Sequence, residues 1–74
     1  MKNDKRVANI EKYKAVLGEI GKHNKLPGAD EGHQIDLGVA YEMLCEMART
    51  GDHGIYAGVP SGFDWNGFKQ DAGI

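Results

Sequence analysis

Along the first third of the chain, Val7, Ile10, Tyr13, Leu17 and Ile20 recur at spacings of three and four. That period puts them on one face of a helix, with Val16 at its margin. Lys5, Glu11, Lys12, Glu19 and Lys22 fall on the opposite side, so one face is apolar and the other carries mixed charge. Asn3 and Asp4 have short side-chain oxygens suited to accept from the free N–H groups of a first turn. Gly21 or the His23-Asn24 pair offers a stop before Pro27. The pattern predicts a first helix over about residues 4–22.

Residues 24–33 combine a Pro-Gly turn signal with a second glycine and two acids, and read as a connector that is long for a helix hairpin. A wider apolar arc follows, made of Leu37, Ala40, Tyr41, Leu44, Cys45, Met47 and Ala48, with Gly38, Glu42, Glu46 and Arg49 as the polar stripe. It predicts a second helix over about residues 34–50, capped by Asp30 or Asp36 and ended by Gly51 in the left-handed conformation.

From Gly51 onward the helical period stops and glycines punctuate the chain, yet Ile55, Tyr56, Val59, Phe63, Trp65 and Phe68 lie here. Disordered tails lack such large apolar groups, so this segment is expected to be ordered and packed on the helices. Ser61 or Asp64 is placed to cap a short third helix carrying Trp65 and Phe68, and Ile55-Tyr56 to make a brief extended stretch. The fold expected is all-α: one small helical domain over residues 1–74, with two amphipathic helices in a hairpin-like pair and an ordered Gly- and aromatic-rich C-terminal segment.

Composition sharpens this in three ways. At 74 residues there is room for one thin core, which leaves self-association open as a source of added stability. Hydrophobic residues at 41% and charged residues at 27% are ordinary for a folded domain and exclude full disorder. The single cysteine, Cys45, lies in an apolar run and reads as a small buried hydrophobe. With no apolar run near the ~18 residues of a membrane span and no signal-peptide core after the basic start, a cytoplasmic location is expected.

The formal net charge of −2 hides a division. Residues 1–25 carry Lys2, Lys5, Arg6, Lys12, Lys14, Lys22 and Lys25 against Asp4, Glu11 and Glu19, a net +4. The remainder carries Arg49 and Lys69 against Asp30, Glu31, Asp36, Glu42, Glu46, Asp52, Asp64 and Asp71, a net −6. Such halves either attract one another within the fold or steer outside partners.

Catalytic and cofactor chemistry finds little support. His33 and Asp36 share a face if the second helix starts early, and Asp52-His53 lies past its end, but there is no His-x-x-x-His, cysteine pair or calcium loop. No metal or other cofactor is expected. Cys45 falls on the core face, while Thr50 and Ser61 read as helix-end and cap residues, so no nucleophile meets a base. The glycine-rich stretches at 51–58 and 58–62 lack the Gly-Lys-Ser/Thr ending of a phosphate loop. The chain is therefore expected not to be an enzyme.

What is left is binding. The first expectation is a protein-binding module, an inhibitor or adaptor of the kind suited to a phage or other mobile element, acting on a larger protein or complex with a basic surface. Glu42, Glu46 and Asp52 would steer the partner, and Tyr56, Phe63 and Trp65 would anchor it, since aromatics bury much area at small entropic cost. An alternative is a small nucleic-acid-binding regulator using Lys5, Arg6 and Lys12. Against it, Glu11 and Glu19 interrupt the basic face and the connector is too long for a helix-turn-helix. A third reading is a homo-oligomeric structural subunit, in the simplest case a homodimer.

Overall fold

The computed structural model describes residues 2–74, with side chains from Lys5 onward. It is all-α, with no strand among the described residues. The helices run in the order α1 (Lys2–Lys12), α2 (Lys14–His23), α3 (Pro27–Asp30), α4 (Gln34–Thr50) and α5 (Trp65–Ala72). The side chains of Asn3 and Asp4, expected to cap the first helix, lie outside the described ones.

The first helix is two helices, not one. Tyr13 (φ −102°, ψ 18°) sits between α1 and α2 and leaves helical geometry. Its N–H still donates to Asn9 O at 3.0 Å and its carbonyl accepts from Leu17 N at 2.9 Å, so it closes one ladder and opens the next. The cause is tertiary. The Tyr13 ring meets Phe68 edge-on at 5.0 Å and Phe63 at 5.9 Å, and its hydroxyl donates to Asp71 Oδ2 at 2.6 Å. The break lets α1 lie against α4 and α5, while α2 packs on α3 and α4. It also changes which residues of α1 face inward: Asn9 and Ile10 are buried, whereas Val7, expected in the core, is 54% exposed.

The connector is more structured than a loop. Pro27 opens the single turn of α3, where its fixed φ suits the first helical position and its missing N–H is not needed. Ala29 is buried against α2 and comes so close that only glycine fits at Gly21: a Cβ there would lie 2.6 Å from Leu26 O. Asp36 does not cap α4. Its Oδ2 accepts from Gly28 N at 3.0 Å and clamps the connector to the first turn of α4. His33 precedes that helix without a side-chain cap, and Asp30 belongs to α3.

The bounds of α4 coincide with those expected, its seven inward residues are all buried, and Gly51 ends it in the left-handed conformation (φ 80°). They form the core with Ile10, Leu17, Ile20, Ala29 and Phe68. Past Gly51 the chain is ordered, but Ile55 and Tyr56 form bends and not an extended stretch. Asn24 Nδ2 donates to Ala57 O at 2.8 Å, and Gly58 (φ +109°) brings its backbone against α2, where a Cβ would lie 2.7 Å from Glu19 O. Asp64 caps α5 by accepting from Gly67 N at 3.0 Å, and Phe68 is fully buried.

Gly21→Ala should therefore destabilise the fold by about 1–3 kcal/mol, because α2 and α3 must separate to admit a methyl group. Gly62→Ala, at a site with open space around it, should change stability by less than ~0.5 kcal/mol. Urea denaturation of both variants beside the parent chain measures the contrast.

Candidate interaction surface

Burial of one side of α4 defines what the other side presents. Ile35, Val39, Glu42 and Glu46 follow one another at spacings of four, three and four, which aligns them down the outward side of the helix. Ile35 is 83% and Val39 42% exposed, and half-buried Met43 lies alongside. Beside Ile35, an open depression is lined by His33, Gln34 and Asp36. The same period that marks the core arc assigns Ile35 and Val39 to the polar side. Two aliphatic residues on that side were the available signal, and a reading concentrated on the core arc passes over them.

The two acids of this face are held in place. Glu46 accepts a hydrogen bond from the Tyr56 hydroxyl at 2.9 Å, which pushes the Tyr56 pKa up. Glu42 is ion-paired with Arg6, whose Nη2 also donates to Gly38 O at 3.3 Å and whose guanidinium lies 5.2 Å from the centre of the Tyr41 ring. Glu42, Glu46 and Tyr56 are thus gathered on one side of the molecule.

The other expected anchors are engaged in packing. Trp65 stacks on the His53 ring at 3.9 Å with the planes 11° apart, and Phe63 meets Trp65 edge-on at 4.9 Å. Both Phe63 and Trp65 are half-buried against the core. Asp52 is exposed just beyond α4, where its Oδ1 accepts from Gly54 N at 3.3 Å and shapes the turn. These three stand at the α4 C-terminus and the α5 N-terminus.

The basic residues of α1 are folded back onto the acidic half of the chain. Arg6 is bound to Glu42, and Lys12 Nζ lies 2.7 Å from Asp71 Oδ2. Lys5 is exposed, close enough to Asp71 to favour its charged form. The Lys12 ammonium and the Tyr13 hydroxyl together hold the Asp71 carboxyl below the usual carboxylate range. Burial, followed by the hydrogen bond to Asp71, pushes the Tyr13 hydroxyl above its ordinary value; burial also raises Tyr41 and keeps the Cys45 thiol protonated. Among the described residues, no three His, Cys, Asp or Glu side chains come together in a way that could hold a metal ion. None of their helices is long and apolar enough to cross a membrane.

Compared with protein-family models, curated proteins and solved structures, the chain has no significant match.

The pKa directions fix the expected pH dependence of stability. Because the Asp71 pKa is lowered on folding, its contribution is complete above the ordinary aspartate value of about 4 and is lost as pH falls through the folded-state value. Because Tyr13 and Tyr41 are raised, their contributions are complete below about 10 and are lost as pH rises beyond it. Thermal unfolding followed by circular dichroism should show a decline on both limbs, with Asp71→Asn flattening the acid limb and Tyr13→Phe the alkaline one.

Proposed function

We propose that the chain is a non-enzymatic protein-binding module, an inhibitor or adaptor that works by occupying a surface of a larger protein or complex. The observation that carries this reading is the exposure of Ile35 and Val39 in line with Glu42 and Glu46 on the outer face of α4. The core is closed by other residues of the same helix, so folding makes no use of these two aliphatic side chains. Burying each fully against a partner would contribute about 1.5–3 kcal/mol, and the neighbouring carboxylates would orient that partner. A cytoplasmic setting goes with this reading, since the single thiol is buried and has no disulfide partner in the chain.

Nucleic-acid binding through α1 has less in its favour. Two of its three proposed cations are already bound to the chain's own carboxylates, and phosphate would have to displace them.

The double variant Ile35→Asp/Val39→Asp should keep the helical circular-dichroism spectrum and the melting temperature of the parent, because both residues are outside the core. Tagged and expressed in the native host, the parent should recover a stoichiometric protein that survives nuclease, and the variant should lose it. A protein retained equally by both, or recovery that nuclease abolishes, would refute the proposal.

A further inference from the structure

The first turn of α5 carries a chemistry unrelated to the outer face of α4. Asparagines stand at positions 3, 9, 24 and 66, and only Asn66 is followed by glycine. We infer that Asn66 is a site of spontaneous covalent modification, its side-chain amide passing through a cyclic imide to aspartyl and isoaspartyl products at a rate restrained by the Asp64 cap of α5. Asparagine is a chemically labile residue. It is most labile before glycine, where no Cβ shields the next backbone nitrogen or limits the rotation that brings it up to the amide. The Asn66 side chain is exposed, whereas Asn9 is buried and Asn24 Nδ2 is held by Ile20 O at 2.7 Å and Ala57 O at 2.8 Å.

The reaction needs only water. The Gly67 nitrogen attacks Asn66 Cγ, so that a nitrogen–carbon bond forms and the bond from Cγ to Nδ2 breaks. Nδ2 leaves as ammonia, taking up the proton that the Gly67 N–H gives away. Water then opens the imide on one of two sides. Cleavage between Cγ and the Gly67 nitrogen leaves an aspartate at position 66. Cleavage between the main-chain carbonyl carbon and that nitrogen leaves an isoaspartate, in which the backbone runs through Cγ and is one carbon longer.

The place of this pair in the helix decides what holds the reaction back. The ladder of α5 opens with Phe68 N donating to Asp64 O at 3.1 Å, so Gly67 N belongs to the first-turn donors that have no intrahelical acceptor. Asp64 supplies one: its Oδ1 accepts from Gly67 N at 3.0 Å. The cap also calls for the glycine, since a Cβ on residue 67 would lie 2.4 Å from Asp64 Oδ2. The attacking nitrogen is therefore engaged while the turn is closed, and closing the imide ring requires the backbone at Asn66 to leave helical geometry. Asp64 acts here as a positioning residue that sets how often the turn opens. The isoaspartyl product strains α5, because its longer backbone separates Trp65, stacked on His53, from fully buried Phe68.

The test is incubation of the full chain at mildly alkaline pH, with peptide mapping by mass spectrometry to locate and count the products, and amide hydrogen exchange of Gly67 by NMR. The folded parent should accumulate aspartyl and isoaspartyl products at position 66 and not at Asn9 or Asn24. Unfolded in guanidinium, the chain should react there at least about tenfold faster. Asp64→Ala, which removes the cap, should react about fivefold faster than the parent under native conditions, with faster exchange at Gly67. Asp64→Ser and Asp64→Asn keep a capping oxygen and should stay within about twofold of the parent.

A folded parent that stays unmodified at position 66 while the unfolded chain is converted would overturn the site. A rate in Asp64→Ala equal to or below the parent's would overturn the restraint, since a carboxylate serving as base to the Gly67 N–H would speed the reaction and its loss would slow it. Should Asp64→Ala lose the helical circular-dichroism signal of the parent, Asp64→Ser decides: a rate as fast as that of the unfolded chain would show that capping does not restrain Asn66.

Discussion

The carboxylate and backbone carbonyl of Asp71 join the two ends of the chain. Lys12 and Tyr13 both reach Asp71 Oδ2, at 2.7 and 2.6 Å, and Asn9 Nδ2 donates to the Asp71 carbonyl at 2.9 Å. The buried Asn9 amide also donates to the Tyr41 hydroxyl at 3.0 Å, which carries the connection into α4. A polar side chain buried in so small a core would be costly without partners, and here every donor has one. For Tyr13 to meet Asp71 while its ring packs between Phe63 and Phe68, the first helix has to break at that residue. The path of α1, the exposure of Val7 and the docking of α5 all follow from that break.

Seating α1 and α5 in this way settles the electrostatics and uses up every aromatic residue except Tyr56. The opposite charges of the two halves of the sequence meet as Arg6 with Glu42 and Lys12 with Asp71. Tyr13, Tyr41, Phe63, Phe68 and Trp65 are joined edge-on into one cluster that closes the C-terminal side of the core. Once these demands are met, the outward side of α4 still leaves the aliphatic side chains of Ile35 and Val39 exposed in line with two anchored carboxylates. The proposed binding role rests on this remainder: what the fold does not need is what a partner would find.

Much of α4 and the start of α5 were legible in advance because their signals are local. The apolar arc from Leu37 to Ala48, the glycine at position 51 and the aspartate at position 64 each act through the backbone within a turn or two. The break at Tyr13 was not legible, since the three-four spacing runs through it unchanged and its cause lies some sixty residues away at Asp71. Asp36 was misread for a similar reason: its carboxylate is spent on Gly28 N, eight residues back, where a Cβ on residue 28 would lie 2.5 Å from its Oδ2. Of the candidate site, the acids Glu42 and Glu46 and the hydroxyl of Tyr56 lie on one side of the molecule. Phe63 and Trp65 are drawn largely into packing by neighbours that periodicity cannot identify, and the Arg6–Glu42 pairing was equally invisible from spacing.

The shared anchor at Asp71 is the claim on which both the fold and the leftover face depend, and a double-mutant cycle between Tyr13 and Asp71 tests it most directly. Stabilities of the parent, Tyr13→Phe, Asp71→Asn and the double variant would be measured by urea denaturation near neutral pH. If the two residues act through one contact, the double variant loses little more stability than the worse of the two single variants. Strictly additive losses would mean that they act independently, and would contradict the account of how the first and last helices are joined.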